Sequence, residues 1–229
     1  MSLGSKSMMY WLIIICQTLA IGNVCLFQIS DEWEKNEVYP VVWVSRSTTG
    51  VDESAITFSW DGELSVACNS TVKHRSVKTL VALMESIFIS ATADPKDRGK
   101  KAFMLSYNKD KDAYQFKRES TDLDDRTSVV LKTAWNIPRF PQAQAGLCMD
   151  DCFIAMVNLG PNLTYRINTE TEYGLLFGAY RQGDRLTPED IKNSLRFSLR
   201  DFNERNEKKI TLQSDNTFAP TENGLRPRR

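Results

Sequence analysis

Few residues of this 229-residue chain have the types and the spacing that catalysis requires. The chain contains one histidine, His74, which lies between Lys73 and Arg75 in a context typical of an exposed side chain. A Ser-His or Cys-His mechanism would depend on that histidine alone. The sequence has no Gly-rich phosphate loop, no G-x-S-x-G motif and no H-E-x-x-H motif. We therefore predict no catalytic residues, and the chain is not expected to be an enzyme or to need a cofactor.

The spacing of the cysteines is typical of disulfide bonds rather than of a metal site. A C-x2-C pair is absent from the sequence, so no zinc site is expected, and the spacing of Asp122, Asp124 and Asp125 fits a turn rather than a calcium loop. Four of the five cysteines follow the N-terminal apolar run, and in an oxidising compartment they allow three disulfide pairings. These disulfide candidates are Cys25, Cys68, Cys148 and Cys152, of which the last two could also pair around a tight loop.

The N-terminus has the organisation of a signal peptide. Lys6 provides a positive charge, Met9 to Ile21 form an apolar run, and Ala20-Ile21-Gly22 fits the small-x-small cleavage pattern. The run is shorter than the roughly 20 apolar residues of a membrane span, although a signal anchor is the alternative. We expect residues 1–22 to be removed, with no membrane span in the mature chain and a secreted, extracellular protein.

Glycosylation sequons and charge balance agree with export. Asn69-Ser70-Thr71 and Asn162-Leu163-Thr164 fit the N-x-[ST] acceptor pattern, which predicts a glycoprotein. The chain has 29 basic and 29 acidic residues, so no basic excess points to nucleic acid or to a membrane surface.

Short alternating segments dominate the chain after a polar stretch at 30–37 and predict an all-β fold. Ile56, Phe58 and Trp60 alternate with polar residues, and Asp61-Gly62 is a strong hairpin signal, so 55–69 is expected to be a hairpin or one strand bent at Gly62. The segment 77–89 fits a helix or a hairpin turning at 85–86, and we favour strand. Further strands are predicted at 39–47, 102–107, 113–117, 128–135, 153–159, 163–167, 173–180 and 210–212.

One amphipathic helix is predicted, over about 187–204. Thr187 is a suitable N-cap, Pro188 suits the first helical position, and Leu186 can staple Ile191. Ile191, Leu195, Leu199 and Phe202 then follow helical spacing. We expect this helix to pack outside the β structure, in a domain over 30–218, and we expect 219–229 to be a disordered tail.

The C-terminal third resembles the end of a divergent lipocalin, a calycin-type carrier. In that family a last barrel strand with Tyr and Arg precedes Leu-Thr-x-Glu at the start of a helix. The matching residues here are Tyr173-Gly174-Leu175-Leu176-Phe177-Gly178-Ala179-Tyr180-Arg181 and Leu186-Thr187-Pro188-Glu189. Trp43 matches the family's early Gly-x-Trp, without the glycine, and 61–64 resembles its second-strand region. The family's Thr-Asp-Tyr motif has no clean match, Thr133-Ala134-Trp135 being the nearest, and a long connection follows at 136–151.

The resemblance implies an eight-stranded antiparallel up-and-down barrel with a C-terminal α-helix packed outside. Such a barrel can hold one small hydrophobic molecule, which would make the protein a secreted binding and transport protein. Tyr107 or Tyr114 could then donate a hydrogen bond to the ligand. Alternatively, the same inward residues fill a core without a cavity. The candidate ligand-binding residues are Ile56, Phe58, Phe103, Leu105, Tyr114, Phe116, Val129, Leu131 and Phe153.

Two other functions are compatible with the pattern. The first is a secreted protein-interaction or immune-modulating β domain, whose partner is a secreted or cell-surface protein and whose long 136–151 loop makes the contact. The second follows from the resemblance, because one lipocalin-like class isomerises a prostaglandin with a thiolate. Cys68 would be the candidate for it, provided that it is unpaired and has a lowered pKa.

Overall fold

The computed structural model describes residues 9–51, 54–61, 64–69, 83–88, 102–119, 127–139 and 143–221, without the side chains of 69 and 83–88. These residues form an all-β fold with one short α-helix, α1, at Pro188–Lys192. The strands of the described part are β1 Tyr10–Cys16, β2 Asn23–Ile29, β3 Tyr39–Pro40, β4 Val42–Ser47, β5 Ser54–Trp60, β6 Leu64–Asn69, β7 Leu83–Phe88, β8 Ala102–Asn108, β9 Ala113–Glu119, β10 Ser128–Thr133, β11 Gln144–Met149, β12 Cys152–Asn158, β13 Thr164–Asn168, β14 Glu172–Gly178, β15 Leu195–Phe197, β16 Glu207–Leu212 and β17 Phe218–Pro220.

The strands form four open sheets, so the predicted closed eight-stranded barrel is wrong. Sheet I has the order β17-β16-β1-β5, sheet II β15-β14-β2-β4, sheet III β3-β12-β11-β6-β7 and sheet IV β13-β10-β8-β9. Two neighbouring pairs, β1 with β16 and β8 with β10, are parallel, which an up-and-down barrel does not allow. Alternation of apolar residues reports which face of a strand is buried but not which strand lies beside it, and this is why the pattern suggested a barrel.

Residues 55–69 form two strands that belong to different sheets. β5 pairs with β1 in sheet I, whereas β6 pairs with β11 and β7 in sheet III. The two strands were therefore predicted correctly, but the hairpin was not. β7 is a single strand at 83–88, as favoured, without the alternative turn at 85–86, and 77–82 lie outside the described residues.

The N-terminal apolar run forms a central strand of the fold. β1 lies between β5 and β16, and its Leu12, Ile14 and Cys16 are 0% exposed. β2, which follows the predicted cleavage position, is central in sheet II. The structure thus gives residues 10–16 a role in the core that is different from the predicted role of a removable leader. No helix among the described residues is long and apolar enough to cross a membrane.

The predicted C-terminal helix is much shorter than expected. Its start is confirmed, since Thr187 and Asp190 form a capping box and Leu186 packs against Ile191. The helix ends at Lys192 instead of continuing to 204, because Leu195–Phe197 pair with β14 as strand β15. A 3-10 turn follows at Leu199–Asp201. Ala219 and Pro220 of the predicted tail belong to β17, and 222–229 lie outside the described residues.

An additional strand lies within the predicted long connection at 136–151. β11 runs from Gln144 to Met149 between β6 and β12. It turns into β12 through Asp150 and Asp151, both in the left-handed region with φ 50° and φ 60°. Residues 144–149 therefore lie in the middle of sheet III rather than in a displayed loop, and residues 140–142 lie outside the described part.

One hydrophobic core joins the four sheets. Its members come from strands of every sheet, and aromatic rings occupy part of it. The Trp60 ring packs edge-on against Trp43 at a centroid distance of 5.6 Å, and against Tyr173 at 5.2 Å. The indole N–H groups are satisfied, because Trp60 donates to the Tyr173 hydroxyl at 3.1 Å and Trp43 to the Met149 carbonyl at 2.9 Å. Buried polar groups with partners avoid the cost of desolvation.

This aromatic core predicts a loss of stability at alkaline pH. Burial raises the pKa of Tyr173 from 10.0 to about 12. The folded state therefore holds the phenol proton more tightly than the unfolded state does, so this contribution is complete below pH 10.0 and is lost as the pH rises toward about 12. Denaturant unfolding at stepped pH should show a falling free energy of unfolding over this window. The Tyr173→Phe variant should reduce the slope, and an unchanged slope would contradict burial of the phenol as a source.

Candidate functional site

A groove with a volume of about 810 Å3 lies between two chain segments that are distant in sequence. One wall is the 29–40 segment, from the end of β2 to β3, and the other is the 185–196 segment around α1. Asn158 of β12 and Tyr165 of β13 lie between them. The volume falls in the range of about 300–1,000 Å3 that small-molecule sites occupy.

The 29–40 wall is fixed by a buried tryptophan. Trp33 is 1% exposed, and its indole N–H donates to the Asn168 carbonyl at 2.9 Å. A 3-10 turn at Glu34–Asn36 follows and ends at Glu37, which has a left-handed φ of 57°. This turn returns the chain to β3 and leaves three carboxylates along the wall, those of Asp31, Glu34 and Glu37.

The 185–196 wall is fixed by backbone hydrogen bonds to the first wall and by the helix cap. The Leu186 amide donates to the Pro40 carbonyl at 3.1 Å, and Arg185 forms an isolated antiparallel bridge with Val41. Leu186 is buried with Phe27, Ile29 and Val42, and Ile191 packs on the same cluster. The side chains of Arg185, Lys192 and Arg196 line this wall, so it is the basic side of the groove.

A network of neutral polar groups orders the middle of the groove. The Tyr39 hydroxyl donates to the Asn158 side-chain oxygen at 2.9 Å and accepts from the Gln144 amide at 2.6 Å. The Tyr165 hydroxyl donates to the Asn158 carbonyl. Burial raises the pKa of Tyr39, although Arg185 and the Gln144 hydrogen bond oppose the shift. Burial and the nearby Glu37 carboxylate raise the pKa of Tyr165 to about 12. Both phenols therefore stay protonated at neutral pH.

The predicted ligand-binding residues do not line this groove. Phe58, Phe103, Leu105, Tyr114, Val129 and Leu131 are buried in the main core, with Ile56 and Phe116 packed against it. Phe153 lies in a separate cluster with Tyr39 and Cys148. The structure therefore places these residues in hydrophobic clusters. Tyr107 forms a hydrogen bond with Asp112 and stacks near Tyr114, so it faces neighbours rather than the groove.

The predicted disulfides are not formed in this structure. The described residues include all five cysteines, and each is a thiol. Cys148 packs in the cluster with Phe153, whereas Cys152 packs on the main core, so the two lie on different faces of the β11–β12 hairpin. Cys68 is 0% exposed in the main core. Burial raises the pKa of Cys25 to about 11 and raises the pKa of Cys148 further.

The two predicted glycosylation sites differ in what can be described. Asn162 is exposed in the turn before β13, with a left-handed φ of 58°. The Asn69 side chain lies outside the described part of the structure. The same holds for His74, and no group of three or more His, Cys, Asp or Glu side chains in the described ranges could hold a metal ion.

Comparison with known proteins identifies a family for this fold and groove. The model of the RhiA family matches residues 9–220, which include β1 and both walls of the groove. The chain belongs to the RhiA family. No curated protein and no solved structure matches it. The match begins one residue before β1 of this RhiA-family protein, so the family pattern includes the N-terminal strand.

Sequence reasoning missed the groove of this RhiA-family protein but found one part of it. The Leu186-Thr187-Pro188-Glu189 signal correctly predicted the start of α1, on which Ile191 and Lys192 lie. The polar stretch 30–37 gave no sign that it forms a wall. The hydrogen bond that fixes it, from the Trp33 indole to the Asn168 carbonyl, joins residues more than a hundred positions apart.

Proposed function

We propose that this RhiA-family protein binds a small amphipathic molecule in the groove between residues 29–40 and 185–196. The observation that carries the proposal is the composition of the groove. Apolar side chains of Ile29, Val38, Leu186 and Ile191 lie beside charged side chains at its mouth. Burying apolar ligand surface would provide about 25 cal/mol per Å2. A few fixed polar groups, among them Tyr39, would orient the ligand.

The proposed function is still that of a carrier or scavenger of a hydrophobic ligand. The proposed site is the groove rather than the interior of a barrel. It involves no catalytic step. Secretion and glycosylation remain predictions, and the exposed Asn162 would be accessible to modification in an exported chain.

A charge introduced on the apolar side should abolish binding. Ile191→Glu places a carboxylate against the apolar lining of the groove. Ile191 is half-buried and lies on the short helix α1. We expect calorimetric titration with decanoate and with decan-1-ol to show at least a tenfold loss of affinity for each probe, since burying an unpaired charge costs more than about 1.4 kcal/mol. The control is Ile21→Glu, because Ile21 is 88% exposed and is not part of the groove. Equal affinities for Ile191→Glu and Ile21→Glu would place the ligand elsewhere.

The alternative function, docking of a protein partner, is supported by a different surface. Leu19, Ile21 and Val51 are 70%, 88% and 60% exposed, in the β1–β2 and β4–β5 connections. An ideal Cβ on Gly50 would lie 3.6 Å from Ile21, which brings the two connections together. Exposed apolar groups that are adjacent are typical of an interaction surface. If the protein is an interaction domain, Ile21→Glu rather than Ile191→Glu should abolish capture of its partner.

A further inference from the structure

Arg185 is held in the groove by an aromatic ring rather than by a carboxylate. Its guanidinium carbon lies 4.0 Å from the centroid of the Tyr39 ring. The backbone bridge to Val41 and the hydrogen bonds of the Tyr39 hydroxyl fix both members of this pair. A guanidinium stacked in this way keeps its N–H donors at its edge, in the planar arrangement that matches a carboxylate.

The donors of Arg185 have no acceptor within the described part of the chain. No hydrogen bond or ion pair joins its side chain to a described residue, and the same is true of Lys192, which lies on the same wall at the end of α1. Arg196 differs, because it lies 3.6 Å from Asp31 and 4.0 Å from Glu172. One cation of the basic wall is therefore neutralised, whereas two remain available for an anion.

Apolar side chains adjoin these two cations. Leu186 follows Arg185 directly and is 3% exposed, and Ile191 precedes Lys192. Both pack on the cluster that contains Ile29, which also lines the groove. A ligand that contacted the cations with one end would reach this apolar surface with the other.

We propose that the ligand of this groove is an amphiphile with a carboxylate head, which Arg185 binds in a bidentate manner with Lys192 beside it, and with an apolar tail against Ile29, Leu186 and Ile191. The inference rests on the proposed function, since it names the ligand class of the same groove. The acidic 31–37 wall opposes a second negative charge on the ligand, so a single carboxylate is favoured over a more highly charged group.

Titration of the full chain with three probes that share a decyl tail tests the head group. The probes are decanoate, decan-1-ol and decyltrimethylammonium, at neutral pH and low ionic strength. We expect decanoate to bind about tenfold more tightly than decan-1-ol, because a charge-assisted bidentate pair is stronger than a neutral hydrogen bond. The preference should shrink as salt is added, since the cations are exposed. Decyltrimethylammonium should bind weakest.

Variants of Arg185 test whether this residue causes the preference for decanoate. Arg185→Met should remove most of the preference for decanoate and leave the affinity for decan-1-ol within about twofold. Compared with Arg185→Met, the Arg185→Lys variant should regain part of the preference for decanoate, because lysine keeps the charge but lacks the planar guanidinium. The control is Arg181→Met, an exposed arginine outside the groove.

Failure of the proposed function and failure of the carboxylate inference give different results. If none of the three probes binds the unmodified chain, the proposed function itself fails. If decan-1-ol or decyltrimethylammonium binds as tightly as decanoate, or if Arg185→Met leaves the preference unchanged, the groove stands and the carboxylate inference is overturned.

Discussion

A chain that begins at residue 23 should fail to fold. It would lack β1, which pairs with β5 over seven residues and with β16 over six. Leu12, Ile14 and Cys16 would be lost from the core, where they are 0% exposed. Fully burying one aliphatic side chain contributes about 1.5–3 kcal/mol, and a typical domain is stable by only about 5–15 kcal/mol. The truncation would also leave the facing edges of β5 and β16 without partners.

Circular dichroism and denaturant unfolding of purified chains would measure this effect. We expect the chain 23–229 to show no cooperative transition. The control is a chain that begins at Met9, just before β1, which should unfold like the full chain. Mass spectrometry of the protein from its natural source would then give the mature N-terminus. A folded mature chain that starts at residue 23 would contradict the assignment of β1 to the core.

Replacing Gly146, the one glycine of β11, by alanine should destabilise the fold strongly. A Cβ at this position would lie 1.8 Å from the carbonyl oxygen of Ala155 on the neighbouring strand. Because the obstacle is backbone, β11 and β12 would have to move apart. These strands carry Gln144 and Asn158, which hold the Tyr39 hydroxyl. Overpacking a rigid core costs about 1–3 kcal/mol and more where the backbone must shift, so we expect a loss of at least about 3 kcal/mol.

A second glycine supplies a matched control for this substitution. A Cβ on Gly160 would lie 2.9 Å from the end of the Leu163 side chain, which is 42% exposed and can move away. Gly160→Ala should therefore change the free energy of unfolding by less than about 1 kcal/mol. Urea unfolding of both variants measures the difference. Equal losses for the two variants would mean that β11 and β12 do not approach each other as described.

Local structure was predictable from the sequence wherever the signal is local. The pattern at 102–107 and 128–135 predicted β8 and β10, and Thr187 with Pro188 predicted the start of α1. The end of that helix was not predictable in the same way. Ile191, Leu195, Leu199 and Phe202 have helical spacing, but Leu195 pairs with Leu175 in sheet II. The Ser194 hydroxyl also bonds to the Ile191 carbonyl at 2.7 Å, a local alternative to continuing the helix.

The N-terminal run shows why an apolar segment alone is ambiguous. Signal peptides and buried strands both require consecutive apolar residues, and periodicity cannot separate them when both faces are apolar. Leu12 and Ile14 point into the core, while Trp11 on the other face is 45% exposed. In the structure Ile14 pairs with Ile210, almost two hundred residues away, and no local pattern reports this pairing.

The groove was unpredictable for the same physical reason. Tyr39 and Arg185 form a cation–π pair although they are 146 positions apart in the sequence, and neither residue belongs to a recognisable motif. Side chains that act together through long-range packing carry no fixed sequence spacing. The Leu186 to Glu189 signal correctly predicted the start of α1, but only the structure shows that this segment faces residues 29–40 across a groove.

Nuclear magnetic resonance of the tryptophan indoles provides the most direct measurement of where a ligand binds. The chain has five tryptophans, all within the described ranges. Trp33, Trp43 and Trp60 are all buried in the main core, but of these three Trp33 alone also lines the groove. On addition of decanoate, the indole N–H resonance of Trp33 should shift, and those of Trp43 and Trp60 should stay in place. A shift of Trp43 or Trp60 with Trp33 unchanged would locate the ligand in the interior of the protein and contradict the groove.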